Sequence, residues 1–135
     1  MVIIVKNDMM IKDLKKQFHD YYPQLKLEFF RVAHDVHGGN NKANMLANET
    51  FIKDYTNSKE GSIEFEGMIS VSEFEQRFSD TFGLHVQVFR KSGDVYVETT
   101  QTDDWSLEQQ HKEALSSLVR SEGGATDFTD RDKWE

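Results

Sequence analysis

Residues Ile11 to Arg31, IKDLKKQFHDYYPQLKLEFFR, and Val71 to Arg90, VSEFEQRFSDTFGLHVQVFR, decide the fold because they superpose at an offset of sixty positions once the extra Gln24 is skipped. Ile11 falls on Val71, Leu14 on Phe74, Phe18 on Phe78, Asp20 on Asp80, Tyr22 on Phe82, Leu25 on Leu84, Phe30 on Phe89 and Arg31 on Arg90. Two copies at so long a period suggest one supersecondary unit duplicated inside a single domain, since a solenoid needs three or more.

Within each copy Ile11, Leu14, Phe18 and Tyr22, or Val71, Phe74, Phe78 and Phe82, recur at helical spacing, which predicts an amphipathic helix with an aromatic stripe. Ser70 with Glu73 forms a capping-box pattern, and Pro23 and Gly83 occupy equivalent stop positions. The β-branched run Val2 to Lys6 and its counterpart Ser62 to Glu66 read as strands, as do the alternating segments Leu25 to Phe30 and Leu84 to Phe89. Two β-α-β units result. They predict an α+β, ferredoxin-like fold: one four-stranded antiparallel sheet with both helices on one face.

A hairpin and a helix extend the second copy. A turn at Ser92-Gly93 would pair Lys91 with Asp94, Phe89 with Tyr96, Val88 with Val97 and Gln87 with Glu98, giving a fifth strand over Val95 to Thr99. Ser106 with Gln109 marks the start of a third helix near Trp105, carrying Leu107, His111, Ala114, Leu115 and Leu118 on one stripe. The expected organisation is a single domain over 1–120, with repeat one at 2–31, an insert at 32–61, repeat two at 62–90 and the extra strand and helix at 94–120. Phe51, Ile52 and Tyr55 suit one short helix inside the insert, and the acidic segment 121–135 is expected to be a mobile tail.

Composition narrows the function classes. The 135 residues contain no Cys, which excludes disulfides and thiolate metal sites. Residues 1–60 carry nine Lys and Arg against eight Asp and Glu, whereas residues 61–135 carry seven against sixteen. A net charge of −8 repels phosphate backbones and argues against nucleic acid as a partner. The opening apolar run ends at Lys6, too short for a membrane span or a signal h-region, so a cytoplasmic protein is expected.

If the helices cover the Leu27, Val86 and Val88 side of the sheet, the opposite face displays Phe30, Phe89 and Tyr96 among polar neighbours. Phe30 and Phe89 are placed there by the repeat itself, and exposed aromatic clusters mark interfaces. Two covers compete for that face: a partner, or the third helix folding back upon it. The contact candidates are Phe30, Phe89, Tyr96, Trp105 and Leu115.

Catalytic patterns are thin. His85 and His111 have no Ser or acidic orienter at a spacing that would build a triad. His34 and His37 offer two metal ligands without a third, and Gly38-Gly39 followed by Asn40, Asn41 and Lys42 matches no phosphate-binding pattern. The strands VIIVK and SIEFE lack the stacking aromatics of an RNA-recognition sheet. The leading expectation is therefore a non-enzymatic protein-interaction or assembly module, with a protein partner or a homodimer and no cofactor. The alternative is a small-molecule or metal-binding domain using the His34–Lys42 loop.

The block VQVFRKSGDVYVETTQTDDWSLEQQ, together with IKDLKKQF and LKLEFFR, resembles a set of short bacterial proteins to which no activity is assigned. The resemblance implies a bacterial, cytoplasmic origin and carries no site residues.

Overall fold

A computed structural model describes residues 1–32, 42–57 and 59–123, the last with side chains through residue 118. The chain is an α+β protein, with three α-helices and two antiparallel sheets among the described residues. Strand β1 (Val2–Val5) pairs with β3 (Gly61–Glu64), and β2 (Leu25–Phe30), β4 (His85–Ser92) and β5 (Val95–Glu98) form the second sheet in the order β2-β4-β5. Helix α1 spans Ile11–Tyr21, α2 Val71–Phe82 and α3 Leu107–Gly123. The single four-stranded sheet expected from the two βαβ units is thus divided into two ladders, each joining a strand to its counterpart sixty or fifty-nine positions away.

The registers carry a further regularity. Ile3 faces Ile63 in the first ladder and Glu28 faces Gln87 in the second, and each pair consists of positions that coincide in the sequence superposition. Each ladder is therefore two-fold symmetric about a pair of matched residues.

Both helices start in the same way. The N–H groups of Ile11 and Lys12 donate to the carbonyls of Thr50 and Asn48, at 2.9 and 3.0 Å, while those of Val71 and Ser72 donate to Trp105 and Asp103, at 2.9 and 2.8 Å. The first turn of a helix leaves its N–H groups without intrahelical partners, so each downstream turn supplies what its helix lacks. The Ser70 hydroxyl adds a side-chain cap, accepting from the Glu73 N–H at 3.1 Å, and Gly83 ends α2 with φ at +70°.

The match continues past the helices. Ile52 N–H donates to Met9 and Leu107 N–H to Ile69, at 3.1 and 3.0 Å, and both Ile52 and Leu107 are fully buried. The end of the insert, residues 47–52, thereby occupies the role of residues 102–107, and the short 3-10 turn Ile52–Asp54 stands where α3 begins. The short helix expected around Phe51 to Tyr55 is this turn.

One core joins the layers. Phe74 lies 5.3 Å from Phe18, 5.3 Å from Phe78 and 4.8 Å from Phe65, and Phe29 meets Phe78 edge-on at 6.0 Å. Leu25, Leu27, Leu84, Val86 and Val88 fill the same cluster from the sheet side.

The β4-β5 hairpin departs from its expected register. Its turn is Gly93-Asp94, with Gly93 at φ +62°, and the pairs are Ser92 with Val95, Lys91 with Tyr96, Arg90 with Val97 and Phe89 with Glu98. A shift of two residues leaves every side chain on its expected face, so alternation alone does not distinguish the two registers. The glycine conformation at the first turn position and the packing of Lys91 on Tyr96 do.

Candidate docking groove and sheet face

The β1–β3 ribbon and the neighbouring ends of α1 and α2 surround a surface groove of about 710 Å³. Its lining runs from Tyr21 across Met1, Glu64 and Met68 to Glu73 and Arg77. Met68 is 76% exposed, and Met1 and Tyr21 also leave large apolar areas uncovered. Unbranched methionine adapts to partner surfaces of varied shape. Glu64 and Glu66 form no ion pair among the described residues, whereas Glu73 stands 3.5 Å from Arg77 one turn along α2.

Side chains of α1 close the outer edge of β1. Gln17 accepts from the Ile4 N–H at 2.8 Å and donates to its carbonyl at 2.9 Å. The Tyr21 hydroxyl accepts from the Val2 N–H at 3.1 Å and donates to the Val2 carbonyl at 2.9 Å. The matching edge of β3 receives one such contact, from Arg77 to the Glu64 carbonyl at 2.7 Å.

The sheet face that the sequence leaves open is largely closed. Phe30, Glu28, Gln87 and Lys91 are buried, and Phe89 and Tyr96 are half-buried. Glu28 pairs with Lys15 at 2.8 Å and Lys26 at 3.1 Å, and the Lys26 ammonium lies 5.5 Å from the Phe89 ring centre and 4.6 Å from that of Tyr96. Burial raises the Tyr96 phenol above its ordinary pKa and lowers the Lys91 ammonium, the latter opposed by nearby Asp94. Both amide atoms of Gln87 are buried without a hydrogen-bond partner among the described residues.

Of the five contact candidates, Phe89 and Tyr96 meet around Lys26, and Phe30 lies beneath the surface. Trp105 lies against Arg90, whose guanidinium is 5.6 Å from the indole and donates to Gln110 at 2.7 Å; Gln110 in turn donates to Thr102 at 2.8 Å. Arg90 and Phe89 are consecutive in β4 and point to opposite faces, so Trp105 anchors α3 away from the Phe89 and Tyr96 pair. Leu115 is 42% exposed on α3.

The histidines divide as well. His111 lies 5.2 Å from Tyr22, with its buried Nε2 unpartnered among the described residues, and burial lowers its pKa against the opposing charge of Glu108. The Tyr22 hydroxyl donates to Glu108 at 3.3 Å, and burial together with that carboxylate pushes its pKa up to about 12. His34 and His37 lie outside the described residues. Among the described residues no group of three or more His, Asp or Glu could hold a metal ion, and no helix is long and apolar enough to cross a membrane.

Sequence reasoning did not find the groove. Its one local signal is Met68, a large apolar residue just after Gly67 and outside both the strand and the helix periodicity. Comparison with protein-family models, with curated proteins and with solved structures yields no match.

Proposed function

We propose that the chain is a non-enzymatic protein-interaction or assembly module, built by tandem duplication of a ferredoxin-like β-α-β unit, and that its principal docking surface is the groove beside the β1–β3 ribbon. The observation that carries this reading is the uncovered apolar lining there, with Met68 76% exposed beside Met1 and Tyr21. Contiguous apolar surface rimmed by polar groups is characteristic of interaction sites. The duplication is supported by the self-facing pairs Ile3 with Ile63 and Glu28 with Gln87, and by the repeated helix caps.

In this proposal Phe89 and Tyr96, with Phe30 beneath them, form a second, smaller contact region, and Leu115 with Trp105 forms a separate one on the α3 side. Cross-linking mass spectrometry with a carboxylate-reactive reagent, on the intact chain in its host cells, tests the assignment. The wild type should give recurrent cross-links to a partner or a second copy through Glu64 or Glu66, and Met68→Glu should abolish them. A chain that sediments as a monomer and gives the same cross-links with Met68→Glu has no docking function at this groove.

A further inference from the structure

We propose that the outer edge of β3 is a strand-addition site for an extended segment of a partner protein bearing lysine or arginine. This rests on the docking reading above and specifies what the site takes. The molecule supplies its own comparison. On β1 all four outward backbone groups, the N–H and C=O of Val2 and of Ile4, are satisfied by Gln17 and Tyr21. The matched groups on β3 belong to Ser62 and Glu64, and only the Glu64 carbonyl has a partner among the described residues. Arg77 occupies the position matching Gln17 but has no acceptor to offer, and Thr81 replaces Tyr21 with a side chain too short to reach the strand. The Ser62 N–H and C=O and the Glu64 N–H therefore present two donors and one acceptor along an exposed edge, the pattern that an added strand completes.

Charge selects the occupant. Glu64 and Glu66 flank this edge without ion pairs among the described residues, and since Glu73 at the groove rim is offset by Arg77 at 3.5 Å, these two carboxylates set the sign of the edge. A second copy pairing through β3 would bring the same carboxylates together, and like charges across a ladder are destabilising. An extended chain with alternating basic residues places ammonium or guanidinium groups beside them instead. Its intervening apolar side chains can meet Met68 and the groove. The contact is short, so steered association and modest affinity are expected.

The test titrates the full chain into a fluorescently labelled peptide, acetyl-Val-Lys-Val-Arg-Val-Lys-amide. Fluorescence anisotropy should give a Kd of roughly tens of micromolar that weakens with added salt, as expected for a short charged strand. The Ser62 and Glu64 amide signals should shift in a heteronuclear NMR spectrum. Methylating the peptide nitrogens on one edge should weaken binding by about tenfold or more, the order set by loss of backbone hydrogen bonds. Ser62→Pro should do the same, since proline removes an edge N–H and is tolerated on edge strands, and Glu64→Lys should weaken binding while leaving the backbone unaltered.

Equal affinity for the methylated peptide, equal affinity for a peptide with Glu at the basic positions, or NMR shifts centred elsewhere would overturn strand addition. If the peptide fails at β3 while Met68→Glu still abolishes the partner cross-links, docking stands and strand addition falls. If neither responds, both fall.

Discussion

Replacing Gln87 with Leu probes the least comfortable residue in the sheet. Gln87 is completely buried, faces Glu28 across the β2-β4 ladder, and has neither amide atom hydrogen-bonded among the described residues. A buried amide without a partner costs about 1–3 kcal/mol relative to a satisfied one. Leucine has a similar volume and nothing to satisfy, while the change of shape should cost less than about 1.5 kcal/mol. The net expectation is a gain of about 1–2 kcal/mol, which raises the Tm by roughly 4 °C per kcal/mol for a chain of this size. Urea denaturation at neutral pH measures it, with an unchanged m-value showing that the native and unfolded states keep their compactness. Gln87→Glu is the companion variant: its carboxylate would sit against Glu28, so it should lose stability at neutral pH and recover part of it as acid neutralises the new group. A Gln87→Leu protein less stable by about 1 kcal/mol or more would refute the reasoning, because a bridging water must then be satisfying the amide.

Two further outcomes follow from the core and from α3. Phe74→Ala empties the position where the Phe18, Phe65 and Phe78 rings converge and should cost about 3–5 kcal/mol by denaturant titration; a loss under about 1.5 kcal/mol would mean the rings do not share one core. Burial holds His111 below its ordinary pKa of 6.5, so the unfolded chain takes up that proton first. The stability it contributes is complete above pH 6.5 and declines as the pH falls below it. His111→Phe should remove this acid-side decline in stability measured across pH 5–7, and an unchanged profile would mean the imidazole is accessible when protonated.

The helices were legible because their signals are local. Ile11 to Tyr22 and Val71 to Phe82 carry their own periodicity, and Ser70 and Gly83 stand where α2 begins and ends. The ladders were not legible, because adjacency of β2 and β4 is set by contacts between residues nearly sixty positions apart. The superposition stopped at Arg31 and Arg90 for a related reason. The first half of the chain returns from β2 through a long segment and the second half returns from β4 through a two-residue turn, so the offset falls from fifty-nine to fifty-five by the point where Ile52 aligns with Leu107. No similarity of side chains marks that match. It is made of backbone hydrogen bonds, which composition does not record. The site was hidden likewise: Gln17 and Tyr21 are unremarkable polar positions on a helix until the edge that they close is known.

The crosswise pairing of the strands bears on how the protein is made. As the chain leaves the ribosome, β1 and β2 emerge long before β3 and β4, so the first half can cap α1 with the turn at Asn48 to Thr50 but has nothing to complete its ladders. Ile3, Val5, Leu27 and Phe29 must wait, covered only in part by α1, for tens of residues of further synthesis. α2 is completed last, since the carbonyls of Asp103 and Trp105 that finish its first turn lie beyond both sheets in the sequence. A stall in translation before β3 and β4 are made leaves a nascent polypeptide with sticky, unpaired strands, a natural client for chaperones.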